Sequence, residues 1–247
     1  MLCNDCGCAN LEGAAFCARC GAALTRSTVQ GDRFIGRYAE LAVLDAAVER
    51  VLAGYGQVVL LGGDPGIGKT RTAQEFAARA ESRGMRVLWG RCYEEAGAPL
   101  YWPWLQLLRG WLEDADDAQL AELMNEDCGL IAELLPELRP RLHESVAPPS
   151  AADPDQARFR LFDAITRFWQ RVARRRPLVL ILDDLHWADT ASLKLLEFLA
   201  RDMTTSPVLL LGGFRDLDLN RRHPLSDTLA ALSRLGQCQR LALRGMT

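Results

Sequence analysis

The densest chemistry in this 247-residue chain sits in one stretch, Gly63-Asp64-Pro65-Gly66-Ile67-Gly68-Lys69-Thr70. It reads as glycine, four residues, then glycine, lysine and a hydroxyl residue, placed between an apolar run ending at Gly62 and a helical pattern from about Arg71. Glycines let successive backbone N–H groups converge on an anion, and a helix N-terminus adds positive potential there. A lysine at that spacing puts a flexible point charge between β- and γ-phosphates, and the threonine hydroxyl suits Mg2+. Lys69 and Lys194 are the two lysines of a chain with 29 Lys and Arg residues, the rest being arginine. A planar guanidinium fork replaces an ammonium poorly in such a loop, which is a physical reason for a lysine there.

A second constellation is the apolar run Leu178–Leu182 followed by Asp183 and Asp184. In an open parallel sheet the C-terminal ends of the strands line the ligand crevice. Asp183 is then placed to hold Mg2+ opposite Thr70, and Asp184 to orient or deprotonate an attacking water. A third constellation is Cys3-x2-Cys6, ten residues, then Cys17-x2-Cys20, with a glycine after each pair. Four thiolates in two such turns suit tetrahedral Zn2+. Residues 1–24 are too few to bury a core of their own, and metal binding on the order of 10 kcal/mol would order them. Cys8 is either an alternative ligand or a bystander.

The elements that must position these groups alternate. Apolar runs at Gln57–Gly62, Arg86–Gly90, Leu178–Leu182, Val208–Leu211 and Arg240–Leu243 predict strands. Helical spacing covers Arg71–Arg83, several stretches within 101–135, Gln156–Arg175, Ser192–Arg201 and Leu225–Leu235. In the long helix, Phe159, Phe162, Ile165, Trp169 and Val172 share one side. Asp189 or Thr190 caps the helix that follows the acidic pair. Strands alternating with helices predict an α/β fold with a parallel sheet covered on both faces. The organisation is a zinc ribbon at 1–24, a polar linker at 25–33 and an α/β core at 34–247.

Composition excludes other classes. Hydrophobic residues are 49% and charged residues 25%, as in soluble globular proteins. The net charge of −3 gives no chain-wide basic footprint, so DNA binding by this chain is not expected. No apolar run approaches the roughly 18 residues of a membrane span. The N-terminus lacks the apolar core of a signal peptide, which points to a cytoplasmic protein with reduced cysteines. Arg171, Arg174, Arg175 and Arg176 form a basic run at a helix C-terminus, where cations offset the dipole. Tyr101, Trp102 and Trp104 open a helix and read as core or as a lid over the crevice. Cys92, Cys128 and Cys238 read as buried thiols, and His143 and His223 have no evident partner.

Several strings together resemble a known family. Phe34-Ile35-Gly36-Arg37 with Glu40, the phosphate loop, residues 89–104, LDDLHWAD at 182–189 and GGFRDLDL at 212–219 resemble the STAND branch of AAA+ P-loop ATPases. The likeness is to ATPase domains of large LuxR-type regulators and multidomain nucleotide-cyclase proteins. The resemblance implies a three-layer P-loop ATPase core that binds ATP and Mg2+ and acts as a switch. It implies that Phe34, Ile35, Gly36 and Arg37 seat the adenine, and that Arg215 senses the γ-phosphate. It gives His186, Trp187 and Asp189 a place in the extended acidic-strand motif. Oligomerisation, and protein partners through the ribbon and further C-terminal regions, fit this reading. The family normally continues into a helical lid, so the chain reads as a core cut short at Thr247. The N-terminal cysteines likewise resemble the zinc ribbons that precede many bacterial regulators. Two other readings are a non-hydrolysing nucleotide-binding scaffold and an origin-type DNA-associated AAA+ ATPase.

Overall fold

The computed structural model describes residues 36–94, 99–124, 128–141, 153–216 and 223–245. Five parallel strands form one sheet: β1 (Gln57–Gly62), β2 (Arg86–Arg91), β3 (Leu178–Asp183), β4 (Val208–Phe214) and β5 (Cys238–Ala242), in the order β2-β3-β4-β1-β5. β1, β3 and β4 are buried along their whole length. That burial explains their unbroken Val/Leu/Ile runs, since a parallel strand has no solvent face to mark with polar residues.

Side chains alternate between two cores, as the two-residue period of a strand requires. Val59, Leu61, Val179, Ile181, Leu209 and Leu211 face α1 (Tyr38–Leu52) and α2 (Lys69–Ser82). Val58, Leu60, Leu178, Leu180, Leu182 and Leu210 face the opposite layer. That layer holds α3 (Trp102–Leu112), α4 (Asp117–Met124), α5 (Cys128–Leu134), α6 (Pro154–Arg175), α7 (Thr190–Asp202) and α8 (Pro224–Leu232). Short 3-10 segments occupy Pro136–Arg141 and Leu185–Trp187.

Helix α1 has no counterpart in the sequence reading. Its buried stripe is Leu41, Leu44, Ala47, Val48 and Val51, and the neighbouring alanines and charges dilute that period. Phe159 departs from the apolar side expected of α6. It is 60% exposed and meets the Phe198 ring edge-on at 5.5 Å, because it lies near the start of α6, outside the part of the helix that the core covers. Cys92 is buried as expected, whereas Cys128 and Cys238 are half-buried.

Helix ends account for several polar residues. The Asp189 carboxylate accepts from the Ser192 N–H at 2.9 Å and caps α7. His223 caps α8, its Nδ1 accepting from the Leu225 N–H at 3.2 Å. Arg171 donates to the Leu123 and Met124 carbonyls at the end of α4, Arg175 pairs with Glu122, and Arg176 donates to Gly84 and Met85 carbonyls. Three of the four arginines in the basic run therefore serve packing between elements. Lys194 bonds the buried Glu197 at 3.1 Å, and Glu197 also accepts from the α8 Thr228 hydroxyl at 2.7 Å.

Candidate functional site

The loop between β1 and α2 carries the glycine-lysine-threonine motif to the C-terminal edge of the sheet. Gly66 and Gly68 have φ of +75° and +98°, a left-handed backbone that glycine adopts without a Cβ clash. Lys69 begins α2, is 7% exposed, and donates from Nζ to the Gly63 and Asp64 carbonyls at 2.9 Å each. Burial pushes its ammonium below the usual lysine range. Asp184 and Asp183 oppose that shift, and Arg215 adds to it. Asp183 and Asp184 at the end of β3, and Arg215 and Asp216 just beyond β4, all act electrostatically on that ammonium.

Thr70 and Asp183 meet as the spacing requires, the Thr70 hydroxyl donating to Asp183 Oδ2 at 2.9 Å. Asp183 is 3% exposed. Burial raises its pKa first, and the Asp184 charge second. The Thr70 hydroxyl, Arg91 and the Asp184 N–H pull the other way. A buried carboxylate beside a hydroxyl is a hard-oxygen donor set of the kind Mg2+ takes. Gly213 makes room for it, since a Cβ at that position would lie 2.8 Å from Asp183 Oδ1. A glycine in front of Arg215 thus has a steric reason of its own.

Asp184 adopts φ +58°, one of three non-glycine residues among those described with positive φ. The others are Arg37 and Tyr101. Such backbones are uncommon and concentrate where side chains are aimed for function. Asp184 Oδ2 accepts from Arg91 Nε at 3.2 Å and from Arg91 Nη2 at 3.0 Å. Arg91 is a site residue that no motif in the sequence marks. It ends β2 directly beside Asp183 in register, so the signal was an arginine at the C-terminus of a strand neighbouring the acidic one.

Arg37 also has a definite place. Its guanidinium donates to the Ile67 carbonyl at 2.9 Å and pairs with Glu40 at 3.0 Å. It therefore braces the tip of the phosphate loop from the segment in front of α1, with Gly36 beside it. Phe34 and Ile35 lie outside the described residues, as do Cys3, Cys6, Cys8, Cys17 and Cys20. Among the described residues no group of three or more His, Cys, Asp or Glu could hold a metal ion. None of their helices is long and apolar enough to cross a membrane. His186 is 3% exposed, with its ring 5.0 Å from that of Trp187 and its Nε2 3.9 Å from Asp184 Oδ1.

A five-stranded parallel sheet with a phosphate loop after β1 and a carboxylate pair at the end of β3 defines the P-loop nucleotide-hydrolase class of α/β folds. The chain belongs to the AAA ATPase domain family, whose profile matches residues 33–211. It is 30% identical over 198 residues to an uncharacterized protein of Rhizobium meliloti (strain 1021), a match covering 75% of this chain and 19% of that relative. The chain thus spans about a fifth of that relative's length. Among solved structures it is similar to Drosophila ORC bound to GC-rich DNA and Cdc6, at 15% identity over 85% of this chain and 61% of the other, TM-score 0.38. It is also similar to AMPPCP-bound DnaA from Aquifex aeolicus, at 15% identity over 86% of this chain and 48% of that one, TM-score 0.39.

Proposed function

We propose that the chain is an ATP-binding switch ATPase module, serving a signalling or transcription regulator of the STAND type. The observation that carries this is the meeting of Lys69, the Thr70–Asp183 pair and Asp184 at one strand-end crevice. The loop N–H groups and the start of α2 take the phosphates, and Lys69 exchanges its loop carbonyls for phosphate oxygens. Thr70 and Asp183 hold Mg2+, which when bound neutralises charge on the β- and γ-phosphates. Asp184 orients the water, Arg215 contacts the γ-phosphate, and the segment 34–37 seats the base. Phosphate release from ATP in the presence of Mg2+ tests this, at the slow rate of a switch. Tight ATP binding without any phosphate release would instead favour the non-hydrolysing scaffold. One observation supports that second reading: Asp184 is one methylene shorter than glutamate and is already engaged by Arg91.

The N-terminal cysteines complete the proposal as a zinc ribbon that contacts protein partners. Metal analysis of chain purified without chelators should give one Zn2+ per molecule, falling to none when Cys3 and Cys6 are both replaced by serine. A zinc-free wild-type preparation would refute the ribbon and leave the ATPase reading intact.

A further inference from the structure

β2 is one of the sheet's two edge strands, β5 being the other, and a side chain of α3 meets its free side. Gln106, on α3, is 4% exposed. Its Oε1 accepts from the Arg91 backbone N–H at 3.1 Å, and its Nε2 donates to the Arg91 carbonyl at 2.9 Å. The bonds from the Arg86 N–H to Pro177 and from the Cys92 N–H to Asp183 show that even-numbered N–H groups of β2 face β3. Arg91 therefore turns both backbone groups away from the sheet, and the Gln106 amide takes the position of a missing neighbouring strand. The close approach of α3 depends on Gly90, where a Cβ would lie 2.3 Å from the Pro103 carbonyl oxygen. The start of α3 is fixed in turn by the Tyr101 N–H on Asp189 and by the Trp104 indole on the Ser192 carbonyl, at 3.3 and 3.1 Å.

We propose that Gln106 is a positioning residue for Asp184, acting through Arg91. By gripping both backbone groups of Arg91, it fixes where the guanidinium leaves the strand end, and that guanidinium places two donors on Asp184 Oδ2. While it does so, that oxygen is not available to accept a proton from water. The amide clamp thus holds the carboxylate in a restrained position. Gln106 touches neither phosphate nor metal site, so its effect reaches the reaction only through Arg91. The inference rests on the reading of Asp184 as the residue that handles water.

The test uses the 15N-labelled full chain and Gln106→Met, which keeps side-chain length and apolar packing but loses both hydrogen bonds. Exchange of the Arg91 Nε–H with water, followed by NMR, should quicken about fivefold, the equivalent of roughly one lost hydrogen bond. ATP turnover should rise by a similar factor with ATP affinity unchanged. The double variant with Arg91→Ala should turn over ATP at the rate of Arg91→Ala alone. Wild-type exchange at Arg91, or effects of the two substitutions that simply add, would overturn the proposal. Should Gln106→Met fail to fold, Gln106→Glu, which keeps the acceptor for the Arg91 N–H, replaces it in the same exchange measurement. Absence of phosphate release from every variant would sink the hydrolytic reading, and the exchange rate would still decide the clamp.

Discussion

Replacing Lys69 with alanine should weaken ATP binding by at least about 100-fold, close to 3 kcal/mol at 1.4 kcal/mol per tenfold. The substitution removes the one lysine ammonium the crevice holds, and charge-assisted bonds to phosphate are among the strongest single contacts a side chain makes. The ammonium is also costly to keep where it is, because burial holds it below the usual lysine range. Its loss should therefore leave the fold close to wild-type stability. Unfolding curves for Lys69→Ala should overlay those of wild type within about 1 kcal/mol, the net size of a typical lost hydrogen bond. Lys69→Arg should fare little better than alanine, since a planar fork cannot make the converging contacts that a compact ammonium makes.

Asp183→Asn should separate stability from chemistry. Asparagine can keep both present contacts, accepting from the Asp184 N–H and offering its amide N–H to the Thr70 hydroxyl. It cannot balance the charge of Mg2+, so Mg2+-dependent turnover should fall by about 100-fold or more. The fold should respond in the opposite direction. Burial and Asp184 hold the Asp183 pKa above its ordinary value of 3.8, so the folded chain binds that proton more tightly than the unfolded chain does. The ionised carboxylate then costs stability that is absent below pH 3.8, grows as pH rises through the folded value, and is fully present beyond it. At pH 7, without nucleotide, Asp183→Asn should melt above wild type, and the gap should close as pH falls through that window. A lower melting temperature at pH 7 would show that Arg91 and Thr70 outweigh the burial cost.

The parts of the site legible in the sequence are those in which one short segment carries both the chemistry and its placement. The phosphate loop is contiguous, and Asp183 ends a run so apolar that its strand and direction follow from it. Arg91 and Gln106 were not legible. Their meaning arises from strand order, which places β2 beside β3, and from Gly90 admitting α3 against the edge. Helix α1 was hidden by its alanines, although Arg37 in front of it reaches the Ile67 carbonyl of the loop. Nothing in the sequence marks Gly213, and only the 2.8 Å approach of Asp183 shows why a side chain is unwelcome there.

Calorimetric titration of the 247-residue chain with ATP, with and without Mg2+, bears most directly on the central claim. A crevice in which Lys69 takes phosphate and the Thr70–Asp183 pair takes the metal predicts saturable binding at one site per chain. It also predicts tighter binding with Mg2+ than without, and loss of binding in Lys69→Ala. No heat of binding from the folded wild-type chain, or an affinity unchanged by Lys69→Ala, would contradict it.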